Sequence, residues 1–387
     1  MEQTAIVIGG NHHNTLGAIR SLGRSGVQSI VILHSGSADN YILKSKYVSN
    51  YTVVEKGDDI YSALKGLKKD NEKQVVVCTS DLSASVIDQH RKELMEFFYL
   101  PGCDEQGRLT SLMNKEVMSE LAVQSGLNIP QSIILSNSDY DYSDVVFPCI
   151  TKPLMSIAGS KADIAICHNA EQLSKSIKNS QAQKFQVQKY IEKDSEYQLI
   201  GVCGKGWMLI PGKSIIVTQP LGTNTGYLKY VNLDGSEPLA ECEKFLMATG
   251  YSGLFSMEFI RDSEGRDYFM EINFRNDGNA ICVTEAGVNL PFIWYQYCID
   301  HNIPKTDEQR KIKEVFVMPE YTEISLWYKG DISFLRLIKE LRQANSFMEY
   351  DADDPNPTNG KKDFLSRFVP AVLRKPVKSL ARVFIHK

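Results

Sequence analysis

Two acidic side chains lie near the centres of neighbouring apolar runs. The runs are Leu254–Ile260 and Tyr268–Ile272, and the turn-rich residues Asp262–Asp267 join them, so we predict a β-hairpin. Glu258 lies in the first run and Glu271 in the second. Because apolar residues surround these acids, we favour a functional role for them over an ordinary solvated hairpin face.

The residues that follow Glu271 extend the same face of the second strand. Residues two apart in a strand share a face, so Glu271, Asn273 and Arg275 point the same way, and Glu258 joins them across the hairpin. Two carboxylates and an amide are oxygen ligands suited to Mg²⁺, which usually binds both protein and phosphate oxygens. A guanidinium beside them suits a phosphoryl or acyl-phosphate oxygen.

The hairpin also carries a resemblance to a known family. The M-E-F segment around Glu258, followed by E-I-N-F-R from Glu271 to Arg275, resembles the metal-binding end of the ATP-grasp superfamily. The resemblance implies that Glu258, Glu271 and Asn273 bind Mg²⁺, with Mn²⁺ as the alternative ion, and that Arg275 is catalytic. It implies an α/β protein with the ATP-grasp fold and an N-terminal Rossmann-like preATP-grasp domain.

Two lysines upstream match the same family in the expected order. Lys115 lies in a segment with helical periodicity, Leu112–Gly126, and Asn114 stands before it where the family usually has aspartate. Lys152 ends a strand-like run. The resemblance implies that both lysines contact the phosphates of ATP and that Lys152 also takes part in catalysis. It further implies that Ser160, in the small-residue loop Ser156–Lys161, belongs to a lid over the triphosphate.

The strand-like run Phe185–Ile191 lies between the lysines and the acids. In the family this segment is the hinge that holds adenine. The resemblance therefore implies nucleotide-binding roles for Gln188, for the backbone of Lys189, Tyr190 and Ile191, and for Glu196 at the ribose hydroxyls. Glu192 and Asp194 are alternatives for the ribose contact, and an edge strand with a solvated turn is the structural alternative.

The N-terminal segment has the order strand, glycine turn, helix, strand, which predicts a parallel α/β layer. Its turn is not G-x-G-x-x-G, which argues against a dinucleotide site. The segment resembles the preATP-grasp domain, whose loops often help to hold the second substrate. His12, His13 and Asp81 fall on such loops, and each is either a ligand contact or a turn or cap residue.

These assignments predict a chain of four parts. They are a preATP-grasp Rossmann-like domain at 1–110, a small or lid subdomain at 111–190, a C-terminal subdomain with the Mg/ATP site at 191–330, and a helical extension with a basic tail at 331–387. We also expect one long strand over Leu199–Ile210 paired with Lys213–Val217, and a polar linker over Asp351–Asp363.

Composition excludes several other classes. The 387 residues are 43% hydrophobic and 23% charged, with a formal net charge of −4, so nothing global suggests nucleic-acid binding. No apolar run reaches the ~18 residues of a membrane span. The N-terminus lacks the features of a signal peptide. The eight cysteines form no C-x-x-C pair, so we expect a reducing cytoplasm and neither disulfides nor zinc.

The C-terminal segment Phe364–Lys387 carries six basic residues and no acid. Four of its apolar residues fall on one helical face: Val377, Leu380, Ala381 and Phe384. A basic amphipathic helix predicts peripheral contact with an anionic membrane, here at its inner face. The alternative is a terminal helix packed on the protein's own acidic surface.

The motifs together predict an ATP-dependent carboxylate–amine ligase that forms an amide through an acyl phosphate, with small-molecule carboxylate and amine substrates. The whole looks most like ligases of the D-aspartate type, which implies an amino acid substrate and a cell-wall or surface-glycan precursor as acceptor. Three alternatives stay open: a soluble dipeptide or small-metabolite ligase, an ATP-grasp kinase, and a non-catalytic nucleotide-binding module. The oligomeric state is open as well.

Overall fold

The computed structural model describes residues 3–55, 57–70, 72–138, 141–153, 164–179, 183–218, 226–301, 303 and 312–359. Within these ranges the chain forms three β-sheets with helices packed against them, so the predicted α/β class is confirmed. Ser160 with its small-residue loop, and the basic segment Phe364–Lys387, lie outside the described residues.

The first sheet is the predicted parallel layer. Its strands follow the order β3-β2-β1-β4-β5, all parallel: β1 (Thr4–Gly10), β2 (Gln28–His34), β3 (Val48–Val54), β4 (Gln74–Cys78) and β5 (Phe98–Tyr99). Its helices are α1 (His13–Arg24), α2 (Gly57–Gly66), α3 (Asp81–Gln89) and α4 (Arg91–Leu94), with a 3₁₀ turn at Tyr41–Lys44. The strand order changes direction between β1 and β4, so the loops after these strands diverge and leave a crevice.

The second sheet is small and antiparallel. Its order is β7-β10-β8-β9: β7 (Ser132–Ser136), β8 (Cys149–Pro153), β9 (Ala165–Cys167) and β10 (Lys184–Lys189). Helix α7 (Ala170–Asn179) covers it, burying Leu173 and Ile177 against Phe185 and Val187. The chain reaches this sheet through β6 (Gly102–Cys103), α5 (Arg108–Leu112) and α6 (Lys115–Gln124).

The third sheet follows the order β16-β15-β11-β13-β14-β17-β18, with β12 paired to β11 and β6 to β15. Its strands are β11 (Lys193–Gly204), β12 (Trp207–Leu209), β13 (Lys213–Thr218), β14 (Tyr227–Val231), β15 (Tyr251–Asp262), β16 (Asp267–Asn273), β17 (Val315–Met318) and β18 (Ser346–Phe347). The associated helices are α8 (Leu239–Thr249), α9 (Ile281–Glu285), α10 (Leu290–Asp300), α11 (Glu320–Lys329) and α12 (Phe334–Gln343).

The predicted acidic hairpin is present as β15 and β16, and it contains a β-bulge. Glu258 pairs with Glu271, but the next residue, Phe259, pairs with Phe269, so Met270 is the extra residue on β16. Without a bulge, Phe269 and Glu271 would share a face. With it, Phe269 packs on Phe259 in the core while Glu271 lies beside Glu258.

The predicted antiparallel pairing with Lys213–Val217 is present, since Leu199 pairs with Lys213, but the prediction of one strand over Leu199–Ile210 is wrong. Strand β11 ends at Gly204, the chain turns at Lys205 and Gly206, and β12 returns antiparallel with Trp207 opposite Gly204. Gly206 has φ +78°, which glycine adopts without steric cost. Strand β11 also begins earlier than expected, so Glu196 lies within it instead of in a solvated turn.

The predicted linker over Asp351–Asp363 is also wrong for the residues described, which extend to Asn359. Asp354 is fully buried and accepts hydrogen bonds from Arg20 Nε at 3.0 Å, Ser45 Oγ at 2.7 Å and the Lys46 backbone N–H at 2.9 Å. A buried carboxylate with this many donors fixes the segment against the first sheet. The C-terminal part of the chain is therefore packed here, not extended.

Candidate active site

The paired glutamates of the hairpin form the centre of the site. Gln198 Nε2, from β11, and Asn273 Nδ2 each donate a hydrogen bond of 3.2 Å to Glu258 Oε1. Both donors bind the same oxygen, and no donor in the described ranges reaches Glu258 Oε2. The carboxylate of Glu258 is therefore oriented through one oxygen and presents the other to a ligand.

Burial, and then the neighbouring carboxylates of Glu271 and Asp277, raise the pKa of Glu258 well above its ordinary value. Two carboxylates held together in a partly buried site need a compensating cation or proton. The described residues contain no group of three or more His, Cys, Asp or Glu side chains suited to a metal ion. Two carboxylates with an amide oxygen nevertheless form a hard-oxygen set that fits Mg²⁺ when phosphate oxygens complete the coordination.

Asn273 links this pair to the arginine. Its Oδ1 accepts a hydrogen bond of 2.9 Å from an Arg275 terminal nitrogen, while its Nδ2 donates to Glu258. An amide oxygen has two acceptor positions, so Asn273 Oδ1 keeps one for a cation. The predicted ligand role of Asn273 is compatible with this geometry.

Arg275 joins the third sheet to the first. Its Nε donates to Asp81 Oδ1 at 2.8 Å, and its terminal nitrogens reach the Asn276 carbonyl at 3.2 Å and Asp277 Oδ2 at 3.6 Å. Burial lowers the pKa of Arg275, but the charges of Asp81 and Asp277 outweigh it and hold that pKa above its ordinary value. Asp81 is the first residue of α3, so a loop of the N-terminal sheet fixes the direction of this guanidinium.

The two predicted phosphate lysines approach the same acids. Lys115 Nζ lies 3.5 Å from Glu271 Oε2. Lys115 begins α6, and the side chain of Asn114 caps that helix by accepting from the Glu116 N–H at 2.9 Å, which accounts for asparagine at this position. The side chain that orders the start of the helix therefore also orders the entry of Lys115 into the site.

Lys152 approaches from the second sheet. Its Nζ donates to Gln188 Oε1 at 3.1 Å. Burial lowers the pKa of Lys152, the charge of Glu271 opposes that shift and Lys115 adds to it, and the net pKa lies below its ordinary value. Two lysines and two glutamates thus share one electrostatic environment although they come from three different parts of the chain.

The predicted adenine segment is placed less simply. The Lys189 N–H donates to the Gln131 carbonyl at 2.8 Å and the Tyr190 N–H to the Pro148 carbonyl at 2.9 Å. An adenine edge would therefore have to meet other backbone groups here, such as those of Ile191. The side chain of Gln188 is buried and accepts a hydrogen bond from Lys152, so it faces the lysine and not a free backbone edge.

Glu196, predicted at the ribose, lies on β11 two residues before Gln198 and therefore on the same face of the sheet. Its Oε2 accepts from Lys193 Nζ at 2.5 Å. The structure thus brings together, around the acid pair, most of the predicted residues that it describes: Lys115, Lys152, Gln188, Glu196, Glu258, Glu271, Asn273 and Arg275. Lys189, Tyr190 and Ile191 follow directly from Gln188 at the end of β10.

Sequence reasoning missed two polar residues that orient the site. Gln198 donates to Glu258 and accepts from Asn279 Nδ2 at 2.8 Å. Ser256 Oγ donates to Asp277 Oδ2 at 2.9 Å. The alternation of Glu196 and Gln198 was the available signal for the first, but it is informative only once β11 is known to begin at Lys193.

The carboxyl ends of β1 and β4 in the N-terminal sheet are hydrogen-bonded to the segment that follows Arg275. Asn14 Nδ2 donates to the carbonyls of Thr79 at 2.8 Å and Asn276 at 2.7 Å, and the Asn276 N–H donates to the Cys78 carbonyl at 2.9 Å. His12 caps α1 by accepting from the Asn14 N–H at 3.2 Å, as the cap alternative required. The carboxyl ends of β1 and β4 are therefore joined to the segment that carries Arg275.

Comparison with known proteins gives matches in structure but none in sequence. No protein-family model matches the chain, and no curated protein sequence matches it. None of the helices in the described part of the chain has the length and apolarity needed to cross a membrane.

Solved structures, by contrast, match over most of the chain. N5-carboxyaminoimidazole synthetase from Staphylococcus aureus, complexed with ADP, superposes with a TM-score of 0.65 at 17% identity over 86% of each chain. L-amino acid ligase from Bacillus licheniformis gives a TM-score of 0.61 at 13% identity, covering 81% of this chain and 78% of that one.

A third match is the biotin carboxylase domain of 2-oxoglutarate carboxylase from Hydrogenobacter thermophilus, in complex with MgADP, ADP and bicarbonate. Its TM-score is 0.62 at 15% identity, and the match covers 80% of this chain and 73% of that one. These likenesses confirm the predicted ATP-grasp fold.

Proposed function

We propose that this protein is an ATP-dependent ligase that joins a carboxylate to an amine, with ADP and phosphate as products. One observation carries the proposal. The paired carboxylates of Glu258 and Glu271 lie in a cleft where Arg275 and two lysines from other elements meet them. The matched synthetase complexed with ADP and the matched carboxylase domain complexed with MgADP support the use of ATP and Mg²⁺.

The positive groups suit the triphosphate of ATP. Lys115 and Lys152 would neutralise phosphate oxygens. Burial lowers the pKa of Lys152, and a bound phosphate anion would offset that effect by favouring the charged ammonium. Mg²⁺, when held by Glu258, Glu271 and Asn273, would act as a Lewis acid that screens the charge of the phosphates. Catalysis of this kind depends mainly on positioning and electrostatics.

Two steps complete the reaction. An oxygen of the substrate carboxylate attacks the γ-phosphorus and the bond to the β–γ bridging oxygen breaks. ADP leaves, and the substrate becomes an acyl phosphate. The amine nitrogen then attacks the acyl carbon, phosphate departs with the bonding electrons, and phosphate or water takes the amine proton. Arg275, fixed by Asp81 and Asn273, would stabilise the negative charge that develops on oxygen.

The crevice between β1 and β4 is our assignment for the second substrate. It is lined by the loops that carry His12, His13 and Asp81, and ligands of open α/β sheets bind at such switch points. Asp81 keeps 40% of its side chain exposed while it holds Arg275. A carboxylate in this position suits an amine acceptor, although Asp81 also serves the arginine.

The finer identity rests on the sequence resemblance. D-aspartate-type ligases activate an amino acid carboxylate, and we propose that an amino acid is one substrate here. The basic segment Phe364–Lys387 favours an acceptor in a lipid-linked wall or surface-glycan precursor over a free metabolite. A soluble dipeptide ligase is the alternative with the same active-site chemistry.

The test is ADP and phosphate release from ATP with Mg²⁺, against carboxylates and amines supplied singly and in pairs, with products identified by mass spectrometry. An amide product that requires both substrates supports the ligase. A phosphorylated hydroxyl product would instead show a kinase, and nucleotide binding without turnover on any substrate, lipid-linked acceptors included, would show a binding module.

The matched variants for this assay are Glu271→Gln and Glu264→Gln. Both remove one carboxylate from the same hairpin, but Glu264 lies in the exposed turn, where it contacts Arg266. Only the first should abolish turnover. Equal activity of the two variants would contradict the assignment of the acid pair.

A further inference from the structure

Helices α11 and α12 present an exposed apolar surface that the active site does not use. Its apolar members are Tyr328, Phe334 and Leu335, exposed to 65%, 48% and 80%. Lys329, Lys339 and Arg342 are exposed around them. We call these six residues the apolar–basic face.

The inner sides of the two helices are already occupied. Leu337 is fully buried against Met318, Ile332 and Tyr227. Leu335 is two residues from Leu337 and therefore points away from that core. The Trp327 ring packs 5.7 Å from the Phe334 ring, and Ser333 caps α12 by accepting from the Arg336 N–H at 3.2 Å. The core of this region is therefore formed by other residues, and Leu335 is free of it.

The outward charge of this region is positive although the whole chain has a net charge of −4. Of the acids in residues 320–345, Glu320, Glu323 and Glu340 are buried, and Asp331 is exposed. The exposed cations therefore outnumber the exposed acids. An apolar patch surrounded by cations is complementary to a surface that is apolar inside and anionic outside.

Charge also decides between occupants. A second copy of this face would bring its own cations, and so would the protein's own segment Phe364–Lys387, which has six basic residues and no acid. Both would meet like charge. An anionic bilayer meets the opposite charge and accepts the apolar side chains, and the basic segment would favour the same partner.

We propose that the apolar–basic face docks the protein on an anionic lipid bilayer. Tyr328, Phe334 and Leu335 enter the headgroup region, and the three cations contact anionic headgroups. Each Lys or Arg near such a surface strengthens binding by about five-fold at moderate salt. This inference is independent of the proposed ligase chemistry, because none of its residues contributes to the cleft.

The test uses the full-length protein and sedimentation with vesicles of phosphatidylcholine, with or without phosphatidylglycerol. We expect binding to the anionic vesicles that weakens as salt is added. Leu335→Glu should reduce that binding about ten-fold or more, through lost apolar insertion and an added negative charge.

The control is Val123→Glu on α6, where Val123 is 56% exposed and lies outside the face. Both variants change the net charge equally, so unchanged binding by Val123→Glu separates the face from general electrostatics. Thermal melts and turnover on free substrates should be alike for both, which confirms folding and keeps the result separate from the ligase proposal.

Several results would overturn the proposal. They are absence of binding to anionic vesicles, equal binding by the two variants, and binding that does not depend on phosphatidylglycerol. A change of oligomeric state in Leu335→Glu, measured by light scattering, would identify the face as a contact between copies instead.

Discussion

Two pairs of glutamates in the described part of this protein lie in contrasting surroundings, one on the β15–β16 hairpin and one between α11 and α12. Glu258 and Glu271 meet polar donors and cations from three parts of the chain. Glu323 and Glu340 lie in an apolar cluster with Leu337, at 0% and 5% exposure. Both pairs contain a carboxyl whose pKa is raised, so a raised pKa alone does not distinguish them.

The surroundings distinguish the pairs. Neither carboxylate oxygen of Glu323 has a hydrogen bond of good geometry within the described ranges, although the Tyr227 backbone and the Glu340 carboxyl group lie close to it. The cation beside its partner, Arg336, bonds only Glu340 Oε1, at 2.9 Å. Glu258, by contrast, has one oxygen fixed by two donors and the other open to a ligand. A site for chemistry needs oriented carboxylates with cations nearby, whereas the second pair has burial without orientation.

The sharpest test replaces one member of each pair by its amide. Glu271→Gln should reduce ligase turnover by about 100-fold or more, because it removes a carboxylate of the proposed Mg²⁺ site and so weakens binding of the cation that would screen the phosphates. Glu323→Gln should leave turnover within a few-fold. Initial rates of ADP release measure both. Similar losses in the two variants would show that burial, not the site, makes these acids important.

Asp81 tests how far the orientation of Arg275 matters. Asp81→Asn removes the charge that holds Arg275 Nε and should lower kcat about 10- to 100-fold, with a smaller change in the KM for ATP. Asp81→Glu should recover part of the loss, since it keeps the charge. Steady-state kinetics with ATP varied at saturating second substrate separate the two parameters. A loss confined to the KM for ATP would remove Asp81 from this positioning role.

Gln198 should have a smaller effect than the acids. Gln198→Leu keeps the size of the side chain but removes a donor to Glu258 and the acceptor for Asn279. We expect turnover to fall about ten-fold, the lower range for residues that orient metal ligands. The Mg²⁺ concentration that gives half-maximal activity should increase. An unchanged Mg²⁺ titration would mean that Glu258 is held without Gln198.

The second pair makes a prediction about stability and pH. Burial, and then Glu340, raise the pKa of Glu323 from 4.5 to about 7. The folded state therefore binds this proton more tightly, so its stabilising effect is complete below pH ~4.5 and is lost as the pH rises through about 7. The melting temperature of the wild type should fall by roughly 2–4 °C across that window.

Glu323→Gln removes this titration and should lessen the decline, which differential scanning calorimetry at several pH values would show. Part of the decline should remain, because burial raises the pKa of Glu320 to about 7 as well. Glu264→Gln, in the exposed turn, is the control and should retain the slope. A variant with the wild-type slope would indicate that other groups cause the pH dependence.

Much of the site follows from local patterns in the sequence. The apolar runs around Glu258 and Glu271 predicted the hairpin. The bounds predicted for the helix that contains Lys115 and for the strand that contains Lys152 agree with the structure within a few residues. Gln198 was missed because polar residues at the start of β11 resemble a turn. The strand over Val48–Val54 was missed as well, since most of its residues face solvent.

Long-range burial could not be predicted in the same way. Asp354 looks like a linker residue because its neighbours are polar, and its partner Arg20 is 334 residues away in sequence. No local pattern encodes that pairing. The bulge at Met270 is hidden for a related reason: the sequence shows which residues are apolar, but not which residue the partner strand leaves unpaired.

That bulge has a consequence for how the hairpin tolerates change in length. The extra residue, Met270, reverses the alternation of faces along β16, so that Phe269 lies in the core while Glu271 points into the cleft. Deleting Met270 would remove the bulge and change which face of β16 one of these side chains occupies, so that either the carboxylate enters the core or the phenyl ring enters the cleft. Residues inserted at the exposed turn near Gly265 leave both side chains on their present faces. The spacing between core and chemistry is thus fixed to a single residue at one point of β16 and free a few residues away.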